Sequence, residues 1–201
     1  MNNSLYFEKI GAIDNTEILV FDTETTGLSK DKDDILQFSA IDGNGNALMN
    51  QLFHPVRKTA WPHAQAVNHI SPQMVADAPL INDHAEKIMS LFRKAKLIVA
   101  YNVKFDYNML LGNLPAQRGE LCHIMKYSKK HCVYDVMWHF PPVYASTHEN
   151  ANPQKPQKLH ECAAHYGYSG DKFHDALEDC RATLYCFFKV VADEKKLGLS
   201  S

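Results

Sequence analysis

Glu17-Ile18-Leu19-Val20-Phe21-Asp22-Thr23-Glu24-Thr25-Thr26-Gly27-Leu28 is the stretch around which the chain is organised. A short apolar run ends abruptly in two carboxylates, threonines and a glycine. Ile18 to Phe21 reads as a fully buried central strand. Residues two apart in a strand share a face, so Asp22 and Glu24 project to the same side. Two carboxylates that close repel each other, and beside a core they are costly unless something positive lies between them. A divalent cation meets that need, and hard oxygen ligands select magnesium or manganese. An isolated D-x-E is equally compatible with a solvated loop, so the rest of the chain has to decide.

Composition narrows the field. The chain has 201 residues, 45% hydrophobic and 22% charged, with a formal net charge of −2. That suffices for one α/β domain with a substantial core. Generic nucleic-acid binders are usually basic, but two bound divalent ions would turn the −2 into +2. No apolar run approaches the ~20 residues of a membrane span, and no membrane partner is expected. Met1-Asn2-Asn3-Ser4 lacks the basic and apolar regions of a signal peptide. Five cysteines without a C-x-x-C read as reduced thiols. A cytoplasmic protein is expected.

After the opening strand, Ile35 to Ile41 alternates as a second strand, and Asp42-Gly43-Asn44-Gly45-Asn46 is a hairpin turn leading to a return strand over Ala47 to Phe53. Residues 55–72 read as irregular, with a short helix starting at Ser71-Pro72. Apolar positions 81, 85, 88, 89 and 92 have helical period. Leu97 to Tyr101 is a second buried strand, followed by a helix over 102–111. Cys132 to Met137 reads as a strand turning into a helix, and proline-rich 141–157 as a loop. Helices over 159–166 and 176–192 complete the chain. The expected organisation is a lead-in over 1–16, one domain over 17–193 and a tail over 194–201.

Two further acidic positions stand out. Tyr101-Asn102-Val103-Lys104-Phe105-Asp106 repeats the form of the opening motif, a buried strand with a sharp polar exit. If the strands at 17–22 and 97–101 are parallel neighbours, Asp106 reaches the same end of the sheet, where open α/β sheets place their sites. Otherwise it is a helix N-terminal acid favoured by the dipole. In Phe173-His174-Asp175-Ala176-Leu177-Glu178-Asp179, the residue nearest the core stripe at ~100° per residue is Asp179. His174 shares its site only from the loop just before that helix.

Asp22-x-Glu24, Asn102-x-x-Phe105-Asp106 and His174-x4-Asp179, in that order, resemble the DEDDh branch of the DnaQ-like 3′–5′ exonucleases. Ala66-Val67-Asn68-His69-Ile70-Ser71 is similar to the family's H-G-I-[ST] turn, with Asn68 and His69 standing where the family usually has His-Gly. Tyr101 stands where a His often precedes the Asn. The resemblance covers roughly residues 17–192 and implies an RNase H-like α/β fold, with a five-stranded mixed sheet flanked by helices. It implies a nuclease that releases 5′-mononucleotides from the 3′ end of nucleic acid, with single-stranded DNA favoured over RNA. Two divalent cations, Mg2+ or Mn2+, would be held by Asp22, Glu24, Asp106 and Asp179, with His174 as general base. Thr23, Glu24, Thr25, Leu28, Asn102, Phe105 and His174 would contact the substrate, and Lys104, Lys126, Lys129, Lys130, Lys158 and Lys172 are candidates for its phosphates. A polymerase or other replication or repair protein acting in trans is the expected partner.

Two other readings lead elsewhere. Asp22-Thr23-Glu24-Thr25 is superficially like the D-x-D-x-T of a phosphatase, but Glu fits that second place poorly and Asp106 and His174 go unexplained. A non-catalytic binding module on the same fold has no need of all five positions. The acids around His174 are expected to favour its protonated form and bound divalent ions to push the other way, giving an ionisation near ~6.5–7.5.

Overall fold

The computed structural model describes residues 10–125, 132–170 and 173–199. Five strands form one sheet: β1 (Ile18–Thr25), β2 (Ile35–Asp42), β3 (Ala47–Leu52), β4 (Leu97–Ala100) and β5 (Cys132–Asp135). Their order is β3-β2-β1-β4-β5. β1, β2 and β3 are antiparallel neighbours, and β4 and β5 run parallel to β1. This is the mixed five-stranded sheet expected from the sequence, and it buries both faces of β1, β2 and β4 under helices.

The helices are α1 (Pro62–Asn68), α2 (Ala85–Lys94), α3 (Val103–Asn113), α4 (Arg118–Met125), α5 (Val136–Thr147), α6 (Leu159–His165) and α7 (Ala176–Leu197). Strand alternation divides the core into two layers. Leu19 and Phe21 face α2, α3 and α4, packing with Phe38, Ile88, Phe92, Met109 and Leu121. Phe21, Phe38 and Phe92 form an aromatic centre there, with ring centroids 5.0–6.4 Å apart. Ile18 and Val20 face the other way, toward α5, α6 and α7, with Val99, Tyr134, Phe140, Cys162 and Phe187.

Three segments differ from the sequence expectations. The stretch read as irregular contains α1, a single short helix with Pro62 in its first turn. The loop expected over 141–157 begins only after α5, which runs through Pro141 and Pro142. Each proline removes a main-chain donor, yet Phe140, Pro141 and Val143 are buried, and that burial outweighs propensity. Finally, α7 continues to Leu197, past residue 193 where the domain was expected to end. Glu194 is only 4% exposed, accepting from Tyr134 Oη at 2.7 Å and lying 2.7 Å from His139 Nδ1. Among the described residues no helix is long and apolar enough to cross a membrane.

Candidate active site

The alternation that builds the two layers also builds the site. Past Phe21 the strand emerges from the core, and its side chains keep alternating. Asp22 and Glu24 continue the Val20 face toward α7, while Thr23 continues the Phe21 face toward α3. On the α7 side, Asp22, Glu24 and Asp179 bring one carboxylate oxygen each within 4.8 Å of one another. On the α3 side, Asp106 Oδ1 accepts from the Thr23 N–H at 3.0 Å and the Thr23 hydroxyl at 2.6 Å. Asp106 therefore reaches the strand end from the opposite layer, held by the residue between the other two acids.

Several contacts fix the second half of the site. Gln37 Oε1 on β2 accepts from the Ala176 N–H at 3.3 Å, tying the start of α7 to the sheet. Asp175 caps α7, accepting from the N–H groups of Leu177 and Glu178, and Glu178 is paired with Arg181. Asp179 is the acid of this trio that turns inward, and it is 9% exposed. His174 precedes the helix with a left-handed φ of 72°. Its N–H donates to Asp179, and its ring is exposed.

Burial pushes the carboxyl groups of this site upward, and neighbouring negative charges add to it. Asp22 lies well above its ordinary value, with Asp106, Glu24 and Asp179 adding to the effect of burial. Glu24 is pushed up to about 8 by burial and by the charges of Asp179 and Asp106. Asp179 and Asp106 each reach about 7, chiefly through burial. Among the described residues none of the four forms an ion pair. A half-buried set of hard oxygen donors without a cationic partner is what a divalent cation fits. His174 departs from expectation: its imidazole is lowered by partial burial, then by His160, His69 and Lys158. The acids favoured protonation in the sequence reading, but the ring faces a basic rim.

Three cavities surround the carboxylates. One of about 500 Å³ is lined by Thr23, Glu24, Thr25, Leu28, Phe105 and residues of α1, including His63 and Val67. Leu28 is 85% exposed at its edge. A second, of about 400 Å³, holds Asn102, Lys158, His160, His174 and Asp179. A third, of about 760 Å³, runs past Gln37, Asn50, Asn68, His69 and His174. Of the lysines proposed for phosphate contact, Lys158 lines a cavity and Lys104 is exposed on α3. Lys126, Lys129, Lys130 and Lys172 lie outside the described residues.

Asn68 contacts the carboxylate site, a placement the sequence left open. Its Nδ2 donates to Thr25 O at 3.1 Å, and its side chain also bonds Glu24. Asp135, at the end of β5, was not anticipated: it accepts from the Asn102 N–H at 3.0 Å and holds that residue in a left-handed φ of 69°.

The sequence description of the exonuclease family, RNase T, matches residues 19–187. The chain belongs to that family. It is a DnaQ-like exonuclease domain of the RNase H-like superfamily, and its five acidic and histidine positions fall inside the matched span. A DNA polymerase III PolC-type protein of Staphylococcus epidermidis is 27% identical over 198 residues, covering 91% of this chain and 12% of that protein. The exonuclease domain therefore spans only a small part of that relative's length. Escherichia coli Exonuclease I, solved in complex with a dT13 oligonucleotide, superposes with a TM-score of 0.73 at 23% identity, covering 90% of this chain and 42% of the other. The zinc-bound form of its complex with single-stranded DNA gives 0.68 at 23% identity, over 92% and 42% of the two chains. These likenesses establish the shared fold.

Proposed function

We propose that the protein is a metal-dependent 3′–5′ exonuclease that releases 5′-mononucleotides from single-stranded DNA, and less readily from RNA. The observation that carries this is the meeting of Asp22, Glu24 and Asp179 within 4.8 Å, beside His174 and next to the cavity edged by Leu28. Asp22, Glu24 and Asp179 would hold one Mg2+ or Mn2+ ion, and Asp22 with Asp106 a second. Bound there, divalent ions lower the pKa of the attacking water and offset charge on the phosphate oxygens.

The chain's own groups do the rest. His174 takes the proton of the attacking water, which its lowered pKa suits by keeping the ring neutral near pH 7. Thr23 keeps Asp106 aimed at the strand end. Glu24 and the backbone beside Thr25 grip the terminal 3′-OH, while Leu28 and Phe105 pack the last base in the apolar cavity. Asn102 lines the opposite wall. Such a grip leaves no room for a strand that continues past the 3′ end. The PolC-type relatives support association with a DNA polymerase.

The test is digestion of 3′- and 5′-labelled single-stranded DNA, duplex DNA and RNA with magnesium or manganese, beside a closed single-stranded circle. Stepwise loss of the 3′ label, with the circle intact, is expected. Rapid cutting of the circle would show an endonuclease and overturn the account of terminal binding.

A further inference from the structure

His69 ends α1 in the left-handed region, with φ 59° and ψ 11°. That conformation favours glycine, because a side chain crowds the backbone there. Its N–H closes the helix onto Gln65 O at 2.9 Å, a bond that any residue type could make. The imidazole itself is exposed and hydrogen-bonds to none of the described residues. A strained backbone bearing a ring that hydrogen-bonds to none of the described residues is the kind of outlier that collects at functional sites.

Its location says what the ring is for. Asn68 lines both the apolar cavity beside Leu28 and the polar cavity, so the turn at 68–69 is the ridge between them. His69 lines the polar side together with Gln37, Asn50 and His174. Phe173 and His174 in turn form the border with the cavity that contains Lys158 and His160. The three cavities thus make one groove past the carboxylates. A polyanionic strand lying in it meets repulsion from the acids and needs donors on the outer wall. His69 provides one on the wall of the cavity that it shares with His174.

We propose that His69 is a substrate-binding residue, donating from its imidazole to a backbone phosphate of the strand as it crosses the polar cavity. This rests on the exonuclease reading of the site. The contact is to the sugar–phosphate backbone, so it is blind to base sequence. It is made equally in ground and transition states, so it acts on binding more than on turnover.

The test compares wild type, His69→Gly and His69→Asn. Both replacements suit a left-handed φ, and both remove the ring. KM for a single-stranded oligonucleotide should rise roughly tenfold, with kcat within about twofold, as for loss of uniform binding. In an Asp22→Asn background, which prevents cleavage, fluorescence anisotropy with a labelled oligonucleotide at pH 6 should show the same loss. Its salt dependence should weaken, the slope falling by about one phosphate contact. His69→Gly should meanwhile melt no lower than wild type, because glycine relieves the strained φ. Unchanged KM, affinity and salt slope in both variants would overturn the proposal while leaving the exonuclease reading intact. Failure of wild type to bind or digest any single strand would overturn both.

Discussion

The main-chain N–H of His174 donates to both carboxylate oxygens of Asp179, 3.3 Å from each. The proposed base and the proposed ligand are thereby joined through backbone rather than through the imidazole, which stays free to face solvent and substrate. The left-handed φ of 72° at His174 is what turns its amide inward and its ring outward.

His174→Ala should therefore lose roughly 10²–10⁴-fold in turnover, the size of a general-base contribution, with little loss of fold. In the wild type, rate should rise with pH as the ring deprotonates. Because partial burial, and then His160, His69 and Lys158, lower the ring from 6.5, the midpoint should lie below that value. A kcat–pH profile measures it, and a full rate in the variant would make His174 a bystander.

The carboxylate cluster predicts an unusual pH dependence of stability. Asp22, Glu24, Asp106 and Asp179 are all raised in the folded state, toward 7 and 8 for the last three. A raised acid favours the folded state below its unfolded pKa, and that advantage disappears as pH climbs through the folded value. In EDTA the melting temperature should fall between pH 6 and pH 9 by at least ~3 °C, and magnesium or manganese should restore it. Asp22→Asn should flatten the slope and cut turnover by roughly 10³-fold or more. Thermal melts that are level or rising over this range in EDTA would contradict the cluster's electrostatics.

Thr23→Val removes the 2.6 Å hydroxyl bond to Asp106 while keeping shape. That bond lowers Asp106 against the upward push of burial, so its loss should raise the carboxyl further. The variant should be destabilised by about 1–3 kcal/mol and should bind manganese more weakly at pH 7. Recovery of affinity at pH 9, followed by titration calorimetry, separates this from simple misfolding.

Gly112→Ala tests how Leu28 is placed. A Cβ on Gly112 would lie 1.9 Å from Lys30 O, a main-chain atom that cannot swing aside. The loop between β1 and β2, which carries Leu28, must move. Overpacking of this kind costs about 1–3 kcal/mol, and KM should rise although the residue is remote from the chemistry. Unaltered KM and melting temperature would show the loop to be more yielding than its contacts imply.

Much of this was legible in the sequence because β1 carries its own instructions. The unbroken apolar run Ile18 to Phe21 marks the strand, and the alternation of side chains along any strand sets Asp22 and Glu24 together. The turn at 42–46 and the apolar period of 176–192 are equally local signals. What could not be read was three-dimensional. Nothing in the residue type tells that Asp106 arrives from the opposite layer onto Thr23. Helix α5 survives Pro141 and Pro142 only because of what Phe140 and Val143 pack against. Seven residues of α1 are too few to show a period. The positive φ at His69, Asn102 and His174 is imposed by neighbours, and so is the basic rim that reverses the expected shift of His174.

The burial of Glu194 has a practical consequence for anyone excising this unit from a longer polypeptide or appending a tag to it. A cut after residue 193 would remove the carboxylate that Tyr134 and His139 share. The same helix carries Asp179 some 15 residues earlier, about 22 Å along its axis. Trimming one end of α7 would loosen the seat of the other, so a safe boundary lies beyond Leu197.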